Sequence, residues 1–454
     1  MNTTDTIIAP ATAPGEGGIA IVRISGADAQ AALLHYFQPS AKVTELESHH
    51  LYHGTLRDNT GCVIDEVMAV YMAAPHTYTR DDVVEIQCHG SQQVVKSIIS
   101  LYLSHGIRLA EPGEFTYRAY MSGRLDLSQA EAVSSLIHAK TDSSRKLALM
   151  QVDGVLSREI YLFAAALKQV LVLVEAWIDF PEEDLPAEDL RKITTTIARV
   201  NSEILTITAS YDCGRVLSEG ASILLVGQPN AGKSSLLNAL LGEERAIVTA
   251  VPGTTRDLLE EGLTINGVPV CLVDTAGLRE SEDVVEVEGI RRAENKLSLA
   301  DLVLLVVDAS REIDEQDRYV LGRCVGTPTF LVFTKKDIKA DAVVASFSDF
   351  PTYEVSAKTE EGLDQLRDGI STFLVGDYLS SSESVMLTER RHHEALLFCL
   401  DGLGRATDSL AGDTSLELLA FDLREVLYHL GQISGETTTE SLLDDIFSGF
   451  CIGK

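Results

Sequence analysis

The chain has 454 residues, and its 37 Lys and Arg against 68 Asp and Glu give a formal net charge of −31. That balance excludes broad, sequence-independent nucleic-acid binding, which needs a large cationic face, so any contact with RNA has to be local or shared with a partner. A hydrophobic content of 45% is ample for packed cores, and the length asks for two or three domains. The seven cysteines are scattered without a CxxC pair, the start lacks a basic-then-apolar leader, and no run of 18 apolar residues occurs. The expectation is a cytoplasmic protein with reduced thiols and no membrane span.

In chain order, strand-like runs at residues 18–24, 49–56, 63–72 and 83–87 precede a helix at 92–104, which reads as a small α+β domain. Pro14-Gly-Glu-Gly-Gly18 is a glycine-rich turn, too short and wrongly placed for a dinucleotide fingerprint. From about Leu125 to Trp177 the texture is helical. Leu156, Ile160, Phe163, Leu167, Val170, Val174 and Trp177 recur at steps of three and four and form one apolar stripe. The acidic run at 181–189 reads as a helix-breaking loop, and 194–208 as a further helix.

Next comes an apolar run, Ile223-Leu-Leu-Val226, and then Gly227-Gln-Pro-Asn-Ala-Gly-Lys-Ser234. Two glycines followed by Lys and Ser between a strand and a helix form a phosphate-binding loop, with backbone N–H groups converging on an anion. Asn230, Ala231, Gly232, Lys233, Ser234 and Ser235 line it. Lys233 is expected on the terminal phosphates and Ser234 on a magnesium ion. Gly253-Thr-Thr-Arg-Asp257 supplies Thr255 to the magnesium shell, and Asp274-Thr-Ala-Gly277 follows the strand Val270-Cys-Leu-Val273. In that second motif Asp274 reaches the magnesium through water and Gly277 meets the gamma-phosphate, with Thr275 and Ala276 between them. Thr334-Lys-Lys-Asp337 ends another apolar strand. A buried carboxylate at Asp337 would accept two hydrogen bonds from guanine and reject adenine, which has no matching pair of donors. Ser356-Ala-Lys358, with Ala357 at its centre, can offer a backbone N–H to the guanine carbonyl. Five motifs in this order identify a GTPase-type domain.

Two departures stand out. Thr334 occupies the place where such domains usually have Asn, and Leu278 the place of a catalytic Gln. An aliphatic side chain cannot orient water, so hydrolysis needs another group or a partner. Beyond a Ser-rich junction, Ser380 to Ser384, helical texture returns. Leu396, Leu400 and Leu403 mark one stripe; Leu416, Leu419, Leu423, Val426 and Leu430 mark a second. Helical halves on both sides of an α/β unit point to an inserted domain hinged near Gly220 and Ser380, the alternative being two independent helical domains. The basic spots Arg390-Arg-His-His393 and Arg291-Arg292 read as solvated helix faces.

The whole chain also resembles a known family. Asp5-Thr-Ile-Ile-Ala9, Gly17-Gly-Ile-Ala-Ile-Val-Arg-Ile-Ser-Gly26, Glu111-Pro-Gly-Glu-Phe115, Leu125-Asp-Leu-Ser-Gln-Ala-Glu131 and the final Cys451-Ile-Gly-Lys454 are similar to the pattern of the MnmE/TrmE family of tRNA uridine-modification GTPases. The resemblance implies an α/β P-loop GTPase domain (216–380) inserted in an all-α helical domain (120–215 and 381–454), with an N-terminal α+β folate-binding and dimerisation domain (1–119). It implies a homodimer that works with an FAD-containing partner, in a heterotetramer, on the wobble uridine of tRNA. There an aminomethyl or carboxymethylaminomethyl group is added to carbon five, with a 5-formyl- or methylene-tetrahydrofolate supplying the carbon.

By motif position the resemblance assigns folate contacts to Arg23, Glu85, Arg124 and Lys454, with Arg124 where the family commonly has Lys. Cys451 is a candidate thiol nucleophile, though a positional role for the tail is the alternative. It further implies potassium-activated GTP hydrolysis. Asn230 with Thr249, Val251 and Thr254 would hold the potassium, Ala250, Pro252 and Gly253 would complete that nucleotide loop, and Glu286 would position water. Two rivals are a ribosome-assembly or RNA-chaperone GTPase, disfavoured by the acidic balance, and a non-catalytic switch whose N-terminal domain only dimerises.

Overall fold

The computed structural model describes residues 3–43, 45–180, 187–242, 260–274, 297, 299–338, 350–376, 385–411 and 415–453. They divide into two compact units, one made of residues 1–134, 152–164 and 427–454, the other of 135–151 and 165–426.

The first unit is built on a seven-stranded sheet. Its strands are β1 (Ile7–Pro10), β2 (Gly17–Ser25), β3 (Phe37–Pro39), β4 (His50–Arg57), β5 (Val63–Met72), β6 (Val83–Gly90) and β7 (Arg108–Leu109). They lie in the order β3-β4-β5-β6-β2-β1-β7, antiparallel except for the β1–β7 pair. In β5 the side chains alternate: Val67, Ala69 and Tyr71 are buried while their neighbours are partly exposed. That period of two marks a sheet with one face on the core. Helices Ala29–Tyr36 and Gln92–Ser104 cover this face, and Leu33, Ile98 and Tyr102 join Val22, Ile24 and Ile86 in one core. The C-terminal helix Glu440–Ser448 packs on the helix Glu114–Met121, where Phe447 and Leu443 share a core with Leu127 and Ala130.

The second unit holds a six-stranded sheet of β8 (Ala221–Val226), β9 (Glu260–Ile265), β10 (Val268–Asp274), β11 (Leu302–Asp308), β12 (Thr329–Thr334) and β13 (Thr352–Glu354). The order is β13-β12-β11-β8-β10-β9, parallel throughout except for the edge strand β9. Every residue of β11 and β12 is buried, as expected for a parallel sheet covered on both faces. The chain passes from β8 to β10 on one side and then to β11 on the other. The ends of these strands therefore form the switch-point crevice in which α/β sheets bind ligands.

Several expectations are refined. The helical stretch after Leu125 is three helices, Leu127–His138, Asp142–Val152 and Val155–Asp179. Asp126 Oδ1 accepts from the Gln129 N–H at 2.9 Å at the start of the first helix, Thr141 Oγ1 from the Ser144 N–H at 3.1 Å at the start of the second, and Gly154, at φ +77°, separates the second from the third. The stripe from Leu156 to Val174 is buried, while Trp177, Leu400 and Leu416 are only partly so. The helix Val155–Asp179 is apolar and long enough to cross a membrane by length and composition, but its buried stripe is that of a core helix. Of the acidic run, 181–186 lie outside the described residues. Glu188 and Asp189 are not loop residues but the first turn of the helix Ala187–Ala209, where carboxylates suit the helix dipole. Arg390 and its neighbours begin the helix Arg390–Ala411. Arg390 pairs with Glu394 at 2.7 Å, His392 is buried, and His393 stacks on Tyr211. This is a packed helix start, with no basic patch.

The helices flanking the nucleotide sheet do pack together, Arg390–Ala411 against Ala187–Ala209. The joint near Gly220 differs from a free hinge. Cys213, Val216 and Leu217 of the helix Tyr211–Glu219 belong to the sheet's own core, so this helix crosses the expected boundary at 216. The returning segment is fastened to it. Leu387 N–H donates to Ser210 Oγ at 3.1 Å, and Gln151 Nε2 donates to Met386 O and Thr388 Oγ1 at 3.1 and 3.0 Å. A Cβ at Gly214 would lie 2.0 Å from Leu387 O, so only glycine allows that approach. Ser380 lies outside the described residues.

Candidate functional site

The phosphate loop connects β8 to the helix Lys233–Leu241. Gly227 has φ +151°, and a Cβ there would come within 2.3 Å of Val306 O. The sharp exit from β8 against β11 therefore requires glycine. The helix begins at Gly232 without a side-chain cap, so its first N–H groups are available to an anion. Lys233 folds back over the loop, its Nζ 2.9 Å from both Gly227 O and Gln228 O. That places the ammonium where phosphates would lie on the loop. Ser234 and Ser235 are exposed at the helix start, as is Asn230 within the loop.

The strap Thr334-Lys-Lys-Asp337, expected to read the base, is joined to this loop. Thr334 Oγ1, in the place of the usual Asn, donates to Ala231 O at 2.5 Å and approaches Val307 O at 3.2 Å. The hydroxyl thus ties the strap to the phosphate loop, though one proton is shared between two carbonyls. Lys335 Nζ contacts Asn230 O at 3.1 Å and Asp308 Oδ2 at 2.5 Å. Burial raises the Asp308 pKa, but hydrogen bonds from Lys335 and Ser310 outweigh it and hold the carboxylate below its ordinary range. Asp337 sits in a short 3-10 turn and is exposed rather than buried. The buried Ser356 hydroxyl orients it by donating to Oδ1 at 2.8 Å. Ser356 spends its own backbone N–H on Glu361 O at 2.9 Å, so of this motif only Ala357 and Lys358 could offer the N–H expected for a guanine carbonyl. The backbone of Asp274 ends β10 opposite Leu225 of β8, beside the loop.

The structure thus brings together the phosphate-loop residues, Thr334, Lys335, Asp337 and Ser356 to Lys358. Thr249, Ala250, Val251, Pro252, Gly253, Thr254, Thr255, Thr275, Ala276, Gly277 and Glu286, with Leu278, lie outside the described residues, as does Lys454. The part of Asp308 was not foreseen. Its signal in the sequence is a single carboxylate closing a seven-residue apolar strand at the ligand end of the sheet, with Ser two residues on.

A second constellation sits in the first unit. Arg23 of β2 faces Glu85 of β6 in register, and the pair closes at 2.8 Å with side chains about one-fifth exposed. The Arg23 guanidinium lies 5.8 Å from the Tyr78 ring and 5.7 Å from Phe115. Arg124 stacks on the same Tyr78 ring at 4.7 Å and donates to Tyr78 O at 3.0 Å. Two cations therefore share one aromatic wall. Tyr78 is the member that sequence reading missed, because a lone Tyr in a turn carries no pattern.

Behind this wall the Glu111-to-Phe115 motif builds an ionic corner. Buried Glu114 accepts from Arg108 Nη2 at 2.6 Å, from Arg118 Nη2 at 2.9 Å and from the Glu111 N–H at 2.8 Å. Arg118 also donates to the Asp5 carboxylate at 2.7 Å, which anchors the chain's first strand. Burial raises the Glu114 pKa, but these donors overcome it and hold it low. The C-terminal tail reaches this unit too: Ile452 bridges Pro112, and the Gly113 N–H points at Cys451 O, 3.4 Å away. Cys451 itself is exposed.

Comparison with known proteins agrees over the full length. Residues 6–124 match the family model for the GTP-binding protein TrmE N-terminus, and 127–451 that of the MnmE helical domain. The chain is 46% identical to the tRNA modification GTPase MnmE of Syntrophotalea carbinolica and to that of Geobacter sulfurreducens, and 43% identical to that of Natranaerobius thermophilus. In each case the match covers 100% of both chains. A phosphate loop tied to the segment that follows β12, an N-terminal unit in which Arg23 and Arg124 share the Tyr78 ring and helices on either flank accord with these matches: the chain belongs to the MnmE family of tRNA modification GTPases.

Proposed function

We propose that this GTPase acts in the cytoplasm as a homodimer and, with an FAD-containing partner, installs an aminomethyl or carboxymethylaminomethyl group on carbon five of the wobble uridine of tRNA. A reduced folate held by the N-terminal domain supplies the one-carbon unit. The observation that carries this reading is the gathering of Arg23 and Arg124 around Tyr78, with Glu85 paired to Arg23. An aromatic face rimmed by guanidinium groups suits a flat, hydrogen-bonding ring bearing carboxylates. Lys454, the last residue of a tail pinned beside Pro112, completes the proposed set, and the proposed domain limits are those of residues 1–119, 120–215 with 381–454, and 216–380.

In the GTPase domain, Lys233 and the uncapped helix start hold the phosphates, while Ser234 with Thr255 suits magnesium. Asn230 with carbonyls of Thr249, Val251 and Thr254 suits potassium, which when bound offsets charge on the transferring phosphoryl group. Glu286 orients the attacking water in place of the missing Gln.

Equilibrium binding of 5-formyl-tetrahydrofolate to the purified chain tests the reading. Binding that is lost in Arg23→Ala is expected; no binding by the intact dimer favours a simple switch. Exchanging potassium for sodium is expected to slow GTP turnover by orders of magnitude, and equal rates would remove the cation from the proposal. Glu286→Ala is expected to abolish turnover while nucleotide affinity stays nearly unchanged.

A further inference from the structure

We propose that Asp308 is a positioning residue of the guanine nucleotide site, holding Lys335 so that the base-reading strap and the phosphate loop act as one body. Asp308 closes β11 in register with Thr334 of β12 and is 8% exposed. Its Oδ1 accepts from the Ser310 N–H and hydroxyl at 2.9 and 2.6 Å, which fixes the side chain. The other oxygen, Oδ2, is then aimed at Lys335 Nζ, 2.5 Å away.

Three further observations show why that aim matters. Lys335 has φ +61° and Asn230 φ +63°; Asn adopts the left-handed region readily, whereas Lys does so where its surroundings hold it there. Lys335 Nζ bridges to Asn230 O, and Thr334 Oγ1 to Ala231 O. Two consecutive strap residues therefore grip two consecutive carbonyls of the phosphate loop. Thr334 has one proton to share between Ala231 and Val307, so much of the grip falls on Lys335. An ammonium on a flexible four-carbon stem is aimed only by its acceptors, and Asp308 is the charged one. As an ordinary partly exposed ion pair, Asp308–Lys335 would contribute little to stability; its effect lies in the shape of the site.

A double-mutant cycle on the full-length chain decides this, read by titration with a fluorescent GDP in the presence of magnesium. Asp308→Ala is expected to weaken GDP binding about tenfold, as for loss of a charge-assisted bond. Asp308→Asn, which keeps an acceptor for Ser310, is expected to lose about threefold. In a Lys335→Ala background, Asp308→Ala is expected to change affinity less than twofold, because the proposed route runs through that lysine and the Ser310 bonds serve only to aim the carboxylate. Multiplicative losses across the cycle, or a single Asp308→Ala within twofold of the parent, overturn the proposal. If the alanine variant does not fold, the same cycle with Asp308→Asn is judged by the same two criteria. Neither folate binding nor potassium activation enters these readouts, so failure here and failure of those readings are separable.

Discussion

The two sheets of this protein build their sites by opposite means. In the nucleotide sheet the central strands β11 and β12 are apolar between their end residues and expose nothing. These two strands leave no face for ligand chemistry, so the loop backbone, a helix terminus and the side chains that close the strands gather at the strand ends. In the N-terminal sheet one face alternates out of the core, and the proposed folate site lies on the strands themselves, with Arg23 and Glu85 directly opposite. The first kind of site is written in short contiguous motifs. The second is written in residues 62 positions apart that only strand pairing brings together.

The sharpest way to break that contrast is to attack the support of the second site. Glu114→Ala leaves Arg108 and the buried Arg118 short of an acceptor, and is expected to cost about 3–5 kcal/mol. Urea unfolding would show it, and a loss under 1 kcal/mol would mean the ionic corner is incidental. The same carboxylate gives a pH signature. Because its folded pKa is depressed, its stabilisation is full above the unfolded value near pH 4.3 and is lost as pH falls through the folded pKa. The parent should therefore lose stability on acidification below about pH 4.5, and Glu114→Gln should flatten that slope.

For the first site, Lys233→Ala is expected to weaken GDP binding roughly 100-fold, about 2.7 kcal/mol, with little change in the thermal melt of the nucleotide-free chain. A matching loss of stability would recast Lys233 as a structural clasp on the Gly227 and Gln228 carbonyls. Smaller is Arg23→Lys, which keeps charge but loses the planar fork on Glu85 and Tyr78. Reduced-folate affinity should fall about threefold to tenfold, whereas an unchanged value would move the ligand off this wall. Cys451→Ser is expected to alter folate affinity less than twofold, since the tail is held by the backbone of Gly113 and Pro112. Modification lost at unchanged folate affinity would instead make the thiol a participant.

The contrast also explains what could be read ahead of the structure. The phosphate loop, the strap and the strands leading into them were legible because each is local: a turn that needs glycine, a lysine and a helix start within eight residues. Helix existence was legible from periodicity, but not helix number after Leu125, because a cap such as Thr141 is a single side chain in an otherwise continuous stripe. The tight joint at Ser210, Gly214 and Leu387 was invisible, since it depends on a segment more than 170 residues away. The exposure of Asp337 was misjudged because a strand-end carboxylate carries no mark of its depth.

By itself the sequence determined the classes of element and the order of the nucleotide motifs, consequences of short-range sterics, capping and apolar period, while the kinship of the whole chain was carried by the resemblance of its motifs. Tertiary structure alone decided which distant charges meet. Tyr78 became the shared wall of Arg23 and Arg124, Thr334 took over the tie to Ala231, and Asp308 came to hold Lys335. Such pairings follow from strand order and register, which depend on the packing of whole sheets, and no run of neighbouring residues encodes them.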